Sequence, residues 1–349
     1  MKKLYKIQTV LSLLFLMFLA SVTLADEQKK TFSDSFKVNT DAEVLISNEY
    51  GNVAIESWDR NEVSIEVVVS VVGRSEEKSK ELLDKISVKI EGSPSHVEAV
   101  TKITGNLNCR NCSFNIDYEV KMPATNLLEL KNSFGNVFIG DLHGSAEISV
   151  SYGNLTIGKL ENKENTIGLK FGNVEIDRLK AADLNMEYGR LEIGSAGYLD
   201  LYVRFVGVEI GKVSEMILDG EYEGIEIGSV NMLRAKTSFM GMDIGELLDK
   251  IDLISTYGGV EISRVAAGFS VIDITAEFGG VELGISNAAS YKLEASSSFG
   301  DVDYPESRAE VISIKKDSFE TELKAFIGDD SSSSASVIIK VDNGSVEIH

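Results

Sequence analysis

The sequence predicts an all-β protein: a parallel, β-helix-like solenoid with two short strands per 17–21-residue coil and a small α+β elaboration at its N-terminal side. Three observations lead there. A six-residue phrase recurs, as FGNVEI at 171–176, YGRLEI at 188–193, YGGVEI at 257–262 and FGGVEL at 278–283. Its aromatic residue keeps time, falling at Phe134, Tyr152, Phe171, Tyr188, Phe205, Tyr222, Phe239, Tyr257, Phe278 and Phe299. A fixed period of this length is the signature of a repeat architecture. Finally, the chain holds 30 Gly but only 3 Pro among 349 residues, and 43% of it is hydrophobic, which suits many paired strands joined by tight corners.

The first 25 residues are set apart as a secretory signal peptide. MKKLYK is basic, TVLSLLFLMFLASV is apolar, and Thr23-Leu24-Ala25 is a small-residue cleavage site. An uncleaved anchor is the alternative. No later stretch is long and apolar enough for a membrane span. Residues 26–125 form a β-rich region that caps the solenoid. Within it ISNEYGNVAIESW already carries the repeat, with Ile46, Tyr50, Val53, Ile55 and Trp58 at offsets −4, 0, +3, +5 and +8 from the aromatic. EVSIEVVVSVV, SVKIEG, HVEAVTKI and FNIDYEVKM read as strands, and SEEKSKELLDKI as a short helix with Ser75 at its N-cap.

Residues 126–304 are the repeat proper. Each unit has one alternating apolar stretch entering the aromatic and one leaving it, the mark of strands with one buried face. Offset +3 reads Val137, Leu155, Val174, Leu191, Val208, Ile225, Met242, Val260, Val281 and Val302. Offset +5 reads Ile139, Ile157, Ile176, Ile193, Ile210, Ile227, Ile244, Ile262 and Leu283. Like residues at like places favour parallel stacking over a meander of hairpins. One coil cannot bury its inner face alone, so neighbours close the core from above and below. The aromatic, Val and Ile ladders are expected to fill that core, and the Gly after the aromatic to supply the positive φ of the corner. Gly at +6 is expected to make a second corner. Residues 305–349 are C-terminal strands and cap, closing on IIKVDNGSVEI, where Asn343 replaces the aromatic.

Composition narrows the function. A formal net charge of −21, made more negative once Lys2, Lys3 and Lys6 leave with the signal, excludes nucleic acid and anionic lipid as partners. The two cysteines, Cys109 and Cys112, fit a local disulfide in an oxidising compartment, because turn and strand signals rather than a helix start surround them. Three histidines, His96, His143 and His349, lie far apart in sequence. Neither a Gly-x-Ser-x-Gly elbow nor a P-loop is present. No catalytic residue and no cofactor site is therefore assigned.

One polar feature keeps the same clock. Offset +4 carries Glu175, Glu192, Glu209, Glu226, Asp243, Glu261, Glu282 and Asp303, between two buried positions and so pointing outward. Stacked at ~5 Å, each neighbouring pair costs somewhat under ~1 kcal/mol in water. The stripe reads as a solvated face that blocks lateral association, as a weak metal stripe for Ca²⁺, or as a docking face for a basic partner.

The phrases ISNEYGNVAIESWDRNEVSIEV, IDYEVKMPATNLLELKNSFGNVFIGDLHGSAEISVSYGNLTIGKL and VDNGSVEI resemble the bacterial DUF4097 / DUF2807 group of autotransporter-adhesin-like, β-strand-repeat proteins. The resemblance covers nearly all of the mature chain. It implies a β-helix-like fold in the periplasm, cell envelope or extracellular space, and supplies no catalytic residues. The expectation is thus a non-catalytic, adhesin-like or scaffolding surface on a stiff rod, with an unknown envelope protein or a glycan as partner. A carbohydrate-active β-helix enzyme and an accessory regulator of envelope stress are the alternatives.

Overall fold

The computed structural model describes residues 27–107 and 111–349. The segment read as a signal peptide, residues 1–25, lies outside the described residues, as does Cys109. The chain is all-β and solenoid-like, its strands joined in one sheet with a single short α-helix, Glu76–Leu83, among the described residues. That helix starts where the sequence places it: the Ser75 side chain accepts a hydrogen bond from the Lys78 N–H at 3.3 Å.

Two rows of strands build the body, one entering the aromatic corner and one leaving it. In the entering row, Glu43–Glu49 pairs in parallel with Leu127–Ser133, which pairs with Ala146–Ser151, which pairs with residues 165–170. The register puts Ile46, Leu130, Ile148 and Ile167 over one another. In the leaving row, Val53, Val137, Leu155 and Val174 align, and so do Ile55, Ile139, Ile157 and Ile176. At the other end Met242, Val260 and Val281 continue the first series and Ile244, Ile262 and Leu283 the second. These rows are the core: every one of these side chains is buried.

Residues Asn165–Thr256 form one extended run of 92 residues. Drawn straight it would reach roughly 300 Å. Instead it folds at Phe171, Tyr188, Phe205, Tyr222 and Phe239, each of which has φ between 54° and 62°.

The stacking order departs from chain order at the C-terminal end. The last strands slot into the stack rather than ending it. Ser336–Asp342 lies between Val271–Ala276 and Tyr291–Ser298, parallel to both. Val346–Ile348 likewise lies between Val281–Ile285 and Val302–Asp303. Asn343 therefore occupies a corner between those of Phe278 and Phe299, which sequence order had placed next to each other.

Antiparallel strands close both ends. Glu62–Val72 pairs with Ser113–Pro123 on one side and Glu27–Lys37 on the other. Ile86–Ser93 covers His96–Ile103. At the far end Glu320–Ile327 covers Tyr291–Ser298, and Ala309–Lys316 covers Glu320–Ile327 in turn. Buried Tyr118 and Tyr291 sit in these end regions, and burial pushes both phenols up to about 12. Tyr118 shares a 2.8 Å hydrogen bond with Thr101.

Candidate functional site

The repeated aromatics are not in the core. From Phe134 to Phe278 nine of them are exposed by 39–53%, and they stack outside the corner in a single file that begins at Tyr50. Centroids are 4.5–5.3 Å apart and planes within 2–7° of parallel over nine consecutive contacts. Tyr50 closes the near end, its other side meeting Phe114 edge-on at 4.9 Å. The far end stops at Phe278 because the next corner in the stack carries Asn343.

The expected division of labour at the corner is reversed. The aromatic itself takes the left-handed conformation, with φ from 54° to 68° at Tyr50 and at every ladder residue from Phe134 to Tyr257. That geometry throws the ring outward. Where a Gly follows the ring it is needed for space: a Cβ on Gly153 would lie 2.0 Å from the carbonyl oxygen of Gly135, and one on Gly172 1.9 Å from that of Gly153. The left-handed conformation costs about 1–2 kcal/mol per residue. A parallel ring contact contributes about 0.5–1.5 kcal/mol, and half-exposed rings belong at the lower end of that range. The ladder thus offsets only part of the cost of its own corners, and the Val, Leu and Ile rows inside hold the fold together.

Side-chain amides reinforce the first corners. The Asn136 N–H donates to Asn52 Oδ1, that of Asn154 to Asn136 Oδ1, that of Asn173 to Asn154 Oδ1 and that of Arg190 to Asn173 Oδ1, at 3.0–3.1 Å. Inside, buried Asn132 donates its Nδ2 to the carbonyls of Gly51 and Gly135 at 3.1 and 3.0 Å. Ser255 and Ser297 use their hydroxyls in the same way on Gly258 and Gly344.

The acidic residues at +4 fall where the sequence puts them, on the outside of the leaving row. Asp243 pairs with Glu261 and Glu261 with Glu282. Asp303 does not follow Glu282. Glu347 lies between them, paired with each, a member of the stripe that chain order hid. Glu282, Glu347 and His349 bring one ligand atom each within 4.8 Å of one another, all exposed. Glu209 takes an ion pair from Arg190 at 2.8 Å. Beside Glu209, Glu226 and Asp243 runs a shallow groove of about 360 Å³, floored by Gly211, Gly228 and Gly245. The equivalent Gly158 lies inside the strand Leu155–Leu160, so the +6 glycine belongs to the leaving strand rather than to a second corner. A Cβ on Gly211 or Gly228 would stand 2.5 Å from the carbonyl of the Gly one coil below.

Cys112 is disulfide-bonded. His96 and His143 lie apart from this face, His96 beside Glu43 at 3.1 Å. Among the described residues no helix is long and apolar enough to cross a membrane. In the end region, burial raises the Asp117 carboxyl despite its hydrogen bonds from Asn52 and Asn115.

The corner phrase and its stacking agree with a sequence match that extends over residues 21–349 to the Toastrack DUF4097 description. The chain belongs to the Toastrack DUF4097 family. This establishes DUF4097 membership and does not extend to the DUF2807 or autotransporter parts of the resemblance. No curated protein matches. Among solved structures, a candidate cell-adhesion protein from Clostridium sporogenes is 13% identical, with 92% of this chain and 99% of that one covered at a TM-score of 0.20. A candidate adhesin from Parabacteroides distasonis is 12% identical over 92% and 97%, at 0.31. A candidate lipid-binding protein from the same species is 10% identical over 73% and 90%, at 0.27. With superpositions this loose, the DUF4097 assignment rests on the sequence match.

Proposed function

We propose that this DUF4097 chain is a non-catalytic, exported, adhesin-like binding rod whose working surface is the aromatic ladder. We also infer that the two-strand coil of 17–21 residues continues in parallel through residues 165–256, because the ring file crosses that run at unchanged spacing. One observation carries the reading. The ladder alternates Tyr50, Phe134, Tyr152, Phe171, Tyr188, Phe205, Tyr222, Phe239, Tyr257, Phe278, with a hydroxyl on every second coil. Stacking and corner geometry are indifferent to a phenol oxygen, so neither requires this alternation. Successive hydroxyls stand about 10 Å apart, twice the spacing of neighbouring strands.

The ladder also limits its ligand. From Phe134 to Tyr257 both faces of each ring are occupied by its neighbours, so only ring edges meet solvent, and an aromatic edge is the positive part of its quadrupole. Edges and phenol groups together suit a ligand rich in oxygen acceptors. An anionic polymer is disfavoured by the net charge of −21. A neutral linear polysaccharide lying along the rod meets both conditions, and its repeat can meet the hydroxyls in step.

The test is affinity electrophoresis and calorimetry of the mature protein against neutral linear glucans, xylans and chitin oligosaccharides. The triple variant Tyr152→Phe, Tyr188→Phe, Tyr222→Phe keeps the stack and removes three hydroxyls. Binding by the wild type that weakens at least tenfold in the variant supports the reading. Binding that the variant leaves unchanged, cleavage of any glycan, or no binding across the panel overturns it.

A further inference from the structure

The two sheet rows end differently, and one end leaves a strand edge with apolar side chains in solvent. Among the described residues Ala309–Lys316 pairs only with Glu320–Ile327, so its outer edge is free. Its sequence is AEVISIKK. Val311, Ile312 and Ile314 are exposed by 44%, 71% and 53%. A free edge with unburied β-branched residues is a template for another strand.

The register inside the hairpin says which strand fits. Val311 lies opposite Ala325 and Ser313 opposite Lys324, so Ile312 is an extra residue, a bulge. Alternation is therefore reset. Ala309, Val311, Ile314 and Lys316 share the face of buried Ile327, Ala325, Leu323 and Thr321, while Glu310, Ser313 and Lys315 share the other. Antiparallel pairing of this strand with its own copy about a twofold axis requires opposed residues to lie on the same face. Of the registers that match faces, one also opposes unlike charges, with the bulge residue Ile312 facing Ser313 beside the axis. It sets Val311 against Ile314 twice on the inner face and Glu310 against Lys315 twice on the outer face. The bulge that interrupts pairing with the hairpin partner is what makes the free edge complementary to itself, in shape and in charge.

We propose that a second copy of this chain docks on this edge, forming an antiparallel, twofold-symmetric dimer through Ala309–Lys316. Such an interface is isologous and closes on itself. It joins two rods tail to tail in one continuous sheet row and leaves both aromatic ladders uncovered. Eight residues of strand make an interface below the standard size, so association is reversible and concentration-dependent. Lys315 already pairs with Glu322 within its own hairpin at 3.0 Å, and across the twofold it meets Glu310 as well.

The experiment is sedimentation equilibrium of the mature protein over a hundredfold range of concentration, with two charge reversals. Glu310→Lys alone places Lys against Lys at both outer pairs. Lys315→Glu alone places Glu against Glu. Each variant is expected to dimerise about tenfold more weakly or worse. An equimolar mixture is expected to recover wild-type association, because in the mixed pair every contact is again Lys against Glu. Melting curves for each variant check the fold, and Ile314→Lys, which breaks the apolar pair, is expected to give a monomer. A wild type that stays monomeric throughout, single reversals that dimerise like the wild type, or a mixture no stronger than its components overturns the proposal.

Discussion

The first four corners and the middle three reach the same ring stack by different chemistry. At Tyr50, Phe134, Tyr152 and Phe171 the ring is followed by Gly-Asn. The Gly packs against backbone one coil away, and the Asn side chain accepts the next coil's N–H. At Phe205, Tyr222 and Phe239 the following pair is Val-Gly, Glu-Gly and Met-Gly. Val206 and Met240 turn into the core and are buried, and a Cβ on Gly207 or Gly241 would meet nothing within 4 Å. The first set fixes register with polar locks. The Phe205 and Phe239 corners fix it with volume, whereas Glu223 at the Tyr222 corner is exposed and itself left-handed at φ 86°. What both preserve is the outward ring in the left-handed conformation, which identifies the ring and not the glycine as the defining element of the corner.

The same methyl group placed in both regions should have very different effects. Gly172→Ala is expected to cost about 3 kcal/mol, because its Cβ would stand 1.9 Å from the Gly153 oxygen and the stack would have to open. Gly207→Ala is expected to stay within about 0.5 kcal/mol of wild type. Urea midpoints decide; equal losses would mean the two corners are the same. Next in size is Val206→Ala, expected to cost about 2 kcal/mol as lost burial and a small cavity. A loss no larger than at an exposed site would remove volume as the lock at the Phe205 corner. Asn154→Ala takes away the acceptor of the Asn173 N–H and is expected to cost about 1 kcal/mol, read from the same denaturation curves. No change would demote the asparagine row to decoration.

The smallest effect at neutral pH concerns the ends that flank both sets. Tyr118 and Tyr291 have phenols raised by burial from 10.0 to about 12. A group whose folded pKa lies above its unfolded one contributes stability below the unfolded value and loses it as pH rises to the folded one. Stability should therefore be level up to about pH 10 and decline between 10 and 12. In Tyr118→Phe that decline should be shallower. An unchanged slope in the variant would show that Tyr118 is not a source of it.

Much of the fold could be read from residue spacing. Offsets −4, +3 and +5 gave the buried rows and their register, because a side chain that must match its neighbours above and below repeats with the coil. The helix cap at Ser75 was likewise visible in its residue type. The ring's direction was not. An aromatic among Val and Ile residues reads as core, and a φ sign leaves no mark when a non-glycine residue carries it. The last coil's insertion left one clue, the Asn343 that breaks the aromatic series, since the cost of ending a stack is visible only once the stacking order is known. The eight acids were placed on one face by their phase, whereas Glu347 joined them only through that insertion.

The measurement closest to the central point, that like positions of stacked coils lie directly over one another in an order the chain does not follow, is disulfide formation between engineered pairs. Glu282→Cys with Glu347→Cys joins adjacent partners and is expected to cross-link on mild oxidation. Glu282→Cys with Asp303→Cys spans two strand spacings, about 10 Å, and is expected to stay reduced. A cross-link in the second pair and none in the first would contradict the account.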